Sequence, residues 1–259
     1  MSRHRFFLAG PFLAPRVGAV LDAPLSAGDL RHATRALRLR VAEEIDLIEP
    51  SGPAWRVGVA AVADDALSVE LLEALPRVAE PDVTLVFGVL KGSKNDDVIE
   101  GAVEVGVTGV LPVIFERSIV RLDAQKRAER GERWRRVAGA AAKQAKRSRV
   151  PVVVDPVAAA ELPGLLRGYD AVLIAWEDAE EAGIGTRLSE LHLADVPAAA
   201  RVAVVVGPEG GLSAEEVAAL EAGGAHVCTL GSTILRAETA GVVAAALVVY
   251  ELGGLGNRR

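Results

Sequence analysis

Short apolar segments typical of strands alternate with longer segments typical of helices from Asp82 to the C-terminus. The first strand is predicted at Val83–Val89, and a helix follows at Asn95–Val105. The last helix, Ala237–Leu252, is apolar on nearly every face and must be buried in a core or a subunit interface. The polar, alanine-rich segment Ala179–Ala200 is expected to be a surface excursion. This alternation predicts an α/β fold with a mostly parallel sheet covered by helices on both faces.

The first 75 residues have a different pattern. Four short segments are typical of strands: Arg5–Leu8, Glu44–Glu49, Trp55–Val62 and Ala66–Leu72. A single helix, capped by Ser26, is predicted through Asp29–Leu37. We therefore expect a small β-barrel at residues 1–75, a linker at 76–81 and a second domain at 82–259.

Charge is distributed unevenly along the chain. The 259 residues have a net charge of -6, yet the segment from Arg117 to Arg149 holds twelve basic and three acidic residues, a net of +9. A local basic face is what matters for contact with phosphates, because the Debye length is only about 8 Å at physiological salt. The alternative is an ordinary solvated helix face. The candidates for RNA contact in this segment are Arg117, Arg133, Arg136, Lys143 and Arg147.

Further basic residues lie outside that segment. A second cluster contains Arg31, Arg35 and Arg38, with Arg40 and His32 beside them. Lys91 lies at a predicted strand-to-helix turn, where it contacts either RNA phosphates or solvent.

Two glycine-bearing segments, Val206–Ser213 and Leu230–Ala240, each follow an apolar strand and precede a helix. Two such turns about 20 residues apart can close around one small ligand. Neither has the spacing of the dinucleotide fingerprint, and the sequence has no Walker-type lysine loop, which disfavours a nucleotide-phosphate enzyme.

Histidine and cysteine usage argues against a metal site and against an internal disulfide. The four histidines are scattered without the paired spacing of metal ligands, so we expect no metal site. Cys228 is the single cysteine, which excludes an internal disulfide and fits a reducing cytosol.

The longest apolar stretch, Ala240–Tyr250, is too short to span a bilayer, and no targeting segment stands out. We expect a soluble, cytoplasmic protein.

The two glycine segments, with other motifs in the same order along the whole chain, resemble the RsmE family. The other motifs are His4–Phe7, His32–Arg40, Lys91–Gly92, Glu104–Val107, Pro112, Glu116–Ser118, Arg133–Trp134, Ala141–Gln144 and Arg147–Pro151. Members of this family are 16S ribosomal RNA uridine-N3 methyltransferases of the SPOUT (α/β-knot) superfamily. This sequence departs from the family pattern at Thr233, where an arginine is usual, and at Gly101–Gly106.

The resemblance implies a C-terminal trefoil-knotted SPOUT domain and an N-terminal PUA-like β-barrel that helps to hold RNA. It further implies a homodimer that acts on 16S ribosomal RNA of the small ribosomal subunit, without a metal. S-adenosylmethionine would lie bent across the knot loops. The residues expected to bind it are Val206, Gly207, Glu209, Gly210, Gly211, Leu230, Gly231, Ile234 and Leu235.

Arg236 and Glu238 are the catalytic candidates. Uracil N3 must lose a weakly acidic proton before it attacks the methyl group, and Arg236 can stabilise the negative charge that develops on the uracil oxygens. Glu238 can orient Arg236 or accept the proton. The alternative for this pair is a structural salt bridge.

Two other functions stay open at this point. One is a knotted methyltransferase that modifies a ribose 2′-hydroxyl. The other is an RNA-binding protein that holds the cofactor, or nothing, without turnover, and Thr233 keeps that possibility open.

Overall fold

The computed structural model describes residues 3–10, 12, 16–76, 79–179, 182–193 and 200–256. The chain divides into two compact units, Met1–Val78 with Ala142–Val150, and Ala79–Ala141 with Pro151–Arg259. The linker predicted at residues 76–81 includes residues 77 and 78, which lie outside the described residues.

The first unit is built on a five-stranded sheet. Its strands are β1 (His4–Phe7), β2 (Val20–Asp22), β3 (Glu44–Ile48), β4 (Ala54–Val62) and β5 (Leu67–Ala74). They lie in the order β1-β3-β4-β5-β2, with β1 parallel to β3 and the other pairs antiparallel. Among the described residues, the edge strands β1 and β2 do not pair with each other, so the sheet is open. The closed β-barrel predicted from the sequence is not formed, because these two short strands pair only with β3 and β5.

One helical segment covers this sheet. It begins as helix α1 (Ala27–Arg31), where the Ser26 hydroxyl accepts a hydrogen bond from the Asp29 backbone N–H at 3.1 Å. It continues as a π-helical turn over His32–Ala36, so the single regular helix predicted here has two parts. The core below it is made by inward-facing residues of the strands, among them Trp55, whose ring lies 5.2 Å from that of Phe12.

The second unit has a seven-stranded sheet in which every pair is parallel. Its strands are β6 (Asp82–Gly88), β7 (Gly109–Ile114), β8 (Val152–Val153), β9 (Val157–Ala158), β10 (Ala171–Ala175), β11 (Arg201–Val206) and β12 (His226–Cys228). The order is β12-β10-β11-β6-β7-β8, and β9 also pairs with β7. The central strands β6 and β11 are buried along almost their whole length, as expected for a parallel sheet covered on both faces. The predicted α/β fold with a parallel sheet is therefore confirmed.

Six helices are described beside this sheet: α2 (Lys94–Val105), α3 (Ala124–Gln144), α4 (Leu162–Leu165), α5 (Ile184–Glu190), α6 (Ala214–Ala222) and α7 (Ala237–Glu251). Helix α7 packs on α2, α5, β6 and β11. Helix α5 corrects one prediction, because it lies within the expected surface excursion and buries Ile184 and Leu188. Within the described residues, no helix is both long enough and apolar enough to cross a membrane.

Candidate active site

A cavity of about 350 Å³ opens at the edge of the second unit's sheet where the strands have their carboxyl ends. Ligands of open α/β sheets bind at this edge. The lining residues follow three neighbouring strands or belong to α2. They are Ala175–Glu177 after β10; Val206, Gly207, Pro208, Glu209, Gly211 and Leu212 at and after β11; Thr229–Gly231, Thr233–Glu238 and Ala240 after β12; and Lys94. The two glycine segments therefore line one cavity, together with both catalytic candidates.

The first glycine loop is held by close backbone packing. A Cβ atom on Gly88, at the end of β6, would lie 2.3 Å from the backbone nitrogen of Pro208. Gly211 has a φ of +72°, and a Cβ there would lie 2.4 Å from the Glu177 carboxylate. Both positions require glycine, because a side chain would displace the loop or the carboxylate beside it.

Gly210 differs from the other predicted cofactor residues, because it does not line the cavity. Its carbonyl accepts a hydrogen bond from the Arg117 guanidinium at 3.2 Å. Arg117, predicted to contact RNA, is exposed and also holds the backbone of the first glycine loop through this hydrogen bond.

The second glycine loop is fixed by a short local contact. The Thr229 hydroxyl accepts from the Gly231 backbone N–H at 3.1 Å, and Gly231 has a φ of +110°. Beyond this turn, Ile234 lines the cavity while 80% exposed, so a large apolar side chain is available to a ligand. Thr233 also lines the cavity.

A charged group lies at the wall of the cavity. The Lys94 ammonium is 3.3 Å from the Glu238 carboxylate and 3.8 Å from that of Glu209. Glu209 also accepts from the Lys91 backbone N–H at 3.1 Å. The guanidinium of Arg236, by contrast, forms no hydrogen bond or ion pair with any described residue, although the Arg236 backbone carbonyl accepts from the Ala240 N–H at 2.7 Å. The structural salt bridge considered for Arg236 and Glu238 is therefore not formed, since Glu238 pairs with Lys94.

The charge state of Glu238 follows from its position. Its carboxylate accepts from its own backbone N–H in the first turn of α7, and this contact is the largest cause that lowers its pKa. The hydrogen bond from Lys94 and the charges of Lys94 and Arg236 lower the pKa further, whereas burial opposes them. Glu238 is therefore an ionised carboxylate at neutral pH.

Lys94 and Asn95 were not predicted to belong to the site. Asn95 is 2% exposed and exchanges hydrogen bonds of 2.8 Å with the backbone N–H and C=O of Leu90. It thereby fixes the turn that carries Lys91 and leads into α2. The sequence shows two lysines, Lys91 and Lys94, at a strand-to-helix turn, but no local sequence pattern links Lys94 to Glu238, which lies 144 positions further along the chain.

The RNA-contact candidates lie in both units. In the second unit, Lys91, Arg117, Arg133 and Arg136 are exposed, and Arg133 pairs with Asp96. In the first unit, Arg31, Arg35 and Arg38 are exposed. Lys143 pairs there with Asp29 at 2.7 Å, and Arg147 is only 8% exposed, which leaves little of it for a direct contact.

The part of the chain that the structure describes holds no group of three or more His, Cys, Asp or Glu side chains that could bind a metal ion.

Comparison with known proteins identifies the family of this chain. A family model described as an RNA methyltransferase domain matches residues 78–249. Ribosomal RNA small subunit methyltransferase E of Mycobacterium bovis is 31% identical over 236 residues, covering 89% of this chain and 86% of the relative. The chain belongs to this RNA methyltransferase family, RsmE.

Two further RsmE relatives extend the comparison. The Bacillus subtilis protein of the same name is 28% identical over 229 residues, covering 88% of this chain and 89% of the relative. A crystal structure of small subunit methyltransferase E from Neisseria gonorrhoeae, bound to S-adenosylmethionine, has a TM-score of 0.77 and 28% identity. The match covers 95% of this chain and 96% of that chain.

Proposed function

We propose that this RsmE protein transfers a methyl group from S-adenosylmethionine to N3 of a uridine in 16S ribosomal RNA. One observation carries the proposal: the guanidinium of Arg236, which has no partner among the described residues, lies beside an ionised carboxylate, Glu238, at a cavity between two glycine loops. The names of the relatives supply the small-subunit RNA as substrate.

The cavity fits S-adenosylmethionine in size, charge and lining. Its volume of about 350 Å³ lies within the range of small-ligand sites. Apolar side chains and loop backbone groups suit an adenine ring. Three carboxylates against two cationic side chains give the lining a net negative charge, which suits a cationic cofactor. The apolar residues are Leu212, Leu230, Ile234 and Leu235, and the charged ones are Lys94, Glu177, Glu209, Arg236 and Glu238. When bound, S-adenosylmethionine supplies a methyl group activated by a positively charged sulfur.

Arg236 and Glu238 have different roles in this proposal. Uracil N3 becomes nucleophilic when it loses its proton to solvent water, and the negative charge is shared with the two neighbouring carbonyl oxygens. The Arg236 guanidinium, which bonds to no other side chain in the described part of the chain, donates hydrogen bonds to those oxygens and stabilises that charge. Glu238 has a lowered pKa and is therefore a weak base, so we assign it the positioning of Lys94 and not proton transfer.

The same proposal includes a trefoil knot in the second unit. Strand β12 lies at the edge of the sheet, beyond β10, but α7 packs on the central strands β6 and β11. The eight residues 229–236 that join them must return across the loops at the carboxyl edge. We propose that this return threads the chain through the first glycine loop.

We further propose a homodimer formed through α7. This helix is apolar on nearly every face, and it exposes Tyr250 at 58% and Leu247 at 37%. A partner subunit that covers these side chains removes them from water.

The first unit is proposed to be a PUA-like module that holds RNA through the exposed Arg31, Arg35 and Arg38. Lys91, Arg117, Arg133, Arg136 and Lys143 contribute to the same binding. The proposed substrate is ribosomal RNA of the small subunit, so we propose that the protein acts in the cytoplasm.

Methyl transfer to ribosomal particles tests this function. The protein is incubated with isotopically labelled S-adenosylmethionine and with small subunits from cells that lack this methylation. Label in 16S RNA, and none in large-subunit RNA, is expected. No label in 16S RNA, while an active control enzyme labels the same particles, rules out the proposal.

A further inference from the structure

We propose that Lys94 is a positioning residue of the active site. Its ammonium group joins Glu209 in the first glycine loop to Glu238 at the start of α7, and so keeps Arg236 free for the substrate. This inference rests on the proposed function.

Lys94 is set in place by its own backbone. It is the first residue of α2, and the next residue, Asn95, is buried and bonded to both backbone groups of Leu90. The side chain of Asn95 also donates to the Gly92 carbonyl at 3.3 Å. The turn before α2 is thus closed by one side chain, and the position from which the lysine extends is fixed.

The lysine links two parts of the cavity wall that are distant in sequence. Glu238 and Glu209 belong to the two different glycine loops, and each carboxylate lies within 3.8 Å of the same ammonium nitrogen. The two carboxylates are therefore at most about 7 Å apart, inside the Debye length of about 8 Å. Without the ammonium group, two partly buried like charges would face each other unneutralised, and Glu238 would need another cation as its partner.

This arrangement leaves the Arg236 guanidinium available to the substrate. Its charge already acts on Glu238, but Glu238 is paired with Lys94. If Lys94 loses its charge, Arg236 becomes the nearest cation to an unpaired carboxylate. We expect the guanidinium to pair with Glu238, so that its donors no longer reach the uracil oxygens.

Replacement of Lys94 by methionine tests this role. The expected result is a fall in kcat of about 10²-fold, the scale of a misplacement of about 1 Å at a reacting centre. The KM for RNA and the thermal midpoint are expected to stay near wild-type values, and Lys94→Arg to retain most of the activity. The matched control is Arg167→Met, which removes one exposed positive charge outside the cavity and the basic segment. A Lys94→Met enzyme as active as this control overturns the inference.

A double variant separates the trapping of Arg236 from a general loss of charge. In Lys94→Met/Glu238→Gln, the carboxylate that would capture Arg236 is absent. The double variant is therefore expected to be at least as active as Lys94→Met alone, which is a non-additive effect. Losses that simply multiply contradict the proposal.

Two further measurements do not depend on turnover. Trp176 lines the cavity, so quenching of its fluorescence reports cofactor binding. The cofactor Kd of Lys94→Met is expected to stay within a few-fold of wild type, and a loss of binding that accounts for the whole fall in activity overturns the inference. The pKa of Glu238, followed by NMR of labelled carboxyl carbons, is expected to change in Lys94→Met relative to wild type, because Lys94 and Arg236 are the cations that act on it. An unchanged pKa contradicts the link between Lys94 and Glu238.

The failure of this inference differs from the failure of the proposed function. If wild-type protein methylates 16S RNA and Lys94→Met does so equally well, only the role of Lys94 is wrong. If wild-type protein methylates no RNA, the function and the inference both fall.

Discussion

Replacement of Gly88 by alanine tests how tightly the first glycine loop must be held. The added Cβ would lie 2.3 Å from the Pro208 nitrogen, 2.5 Å from its Cδ and 2.8 Å from its Cα. Ordinary contacts begin at 3.4 Å, so Pro208 must move by about 1.1 Å. The clash is with backbone and a rigid ring, and no change of rotamer relieves it. Overpacking of this kind costs about 1–3 kcal/mol of stability.

The shift also moves Glu209 and the loop that lines the cavity. We expect the cofactor Kd to rise, measured by calorimetry, and kcat to fall by about 10²-fold. The thermal midpoint is expected to fall by about 2–12 °C, because 1 kcal/mol corresponds to about 2–4 °C in a domain of this size. The control is Gly164→Ala, in α4, where a Cβ meets no atom within 4 Å. A Gly88→Ala protein that binds the cofactor as tightly as Gly164→Ala refutes the reasoning.

Three further predictions concern single side chains. Arg236→Ala is expected to lower kcat by about 10²–10³-fold, the effect of losing one donor to a developing oxyanion, while calorimetry gives an unchanged cofactor Kd; an equal loss in both contradicts its catalytic role. Because the pKa of Glu238 is lowered in the folded protein, its carboxylate stabilises the fold at pH values above its ordinary pKa, and this stability is lost as the pH falls through the lowered pKa. The thermal midpoint of Glu238→Gln is therefore expected to fall less than that of wild type when the pH is lowered. Burial raises the pKa of Cys228 to about 12, so a thiol reagent is expected to modify the protein only after denaturation, and rapid labelling of the native protein would show that β12 is not packed as described.

The parallel sheet could be predicted because its strands carry a signal in their own residues. Strands such as Val83–Val89 are continuous apolar runs between helix-like segments, and burial on both faces produces that pattern. Helix α5 lacked such a signal, because its two buried residues, Ile184 and Leu188, lie in a polar and alanine-rich stretch. Strand β2 has only three residues, too few for a period to be read.

Part of the candidate site could be predicted from the sequence, and part could not. The glycine loops could be identified because a turn with a positive φ, such as the +72° at Gly211, favours glycine, and glycine is visible in the sequence. The partner of Glu238 was missed, because ion pairs between residues 144 positions apart depend on how α2 and α7 pack. The closed form of the first sheet was also predicted wrongly, since strand pairing at an edge is decided by tertiary contacts and not by alternation along one strand.

The identity of the methylated nucleoside distinguishes methylation of uracil N3 from any other RNA methylation. Small subunits that lack the modification are incubated with the protein and S-adenosylmethionine, and the 16S RNA is digested to nucleosides for mass spectrometry. We expect one N3-methyluridine for each RNA with wild-type protein, and far less with Arg236→Ala at the same incubation time. A ribose-methylated nucleoside in its place, or no new methylated nucleoside, would contradict this prediction.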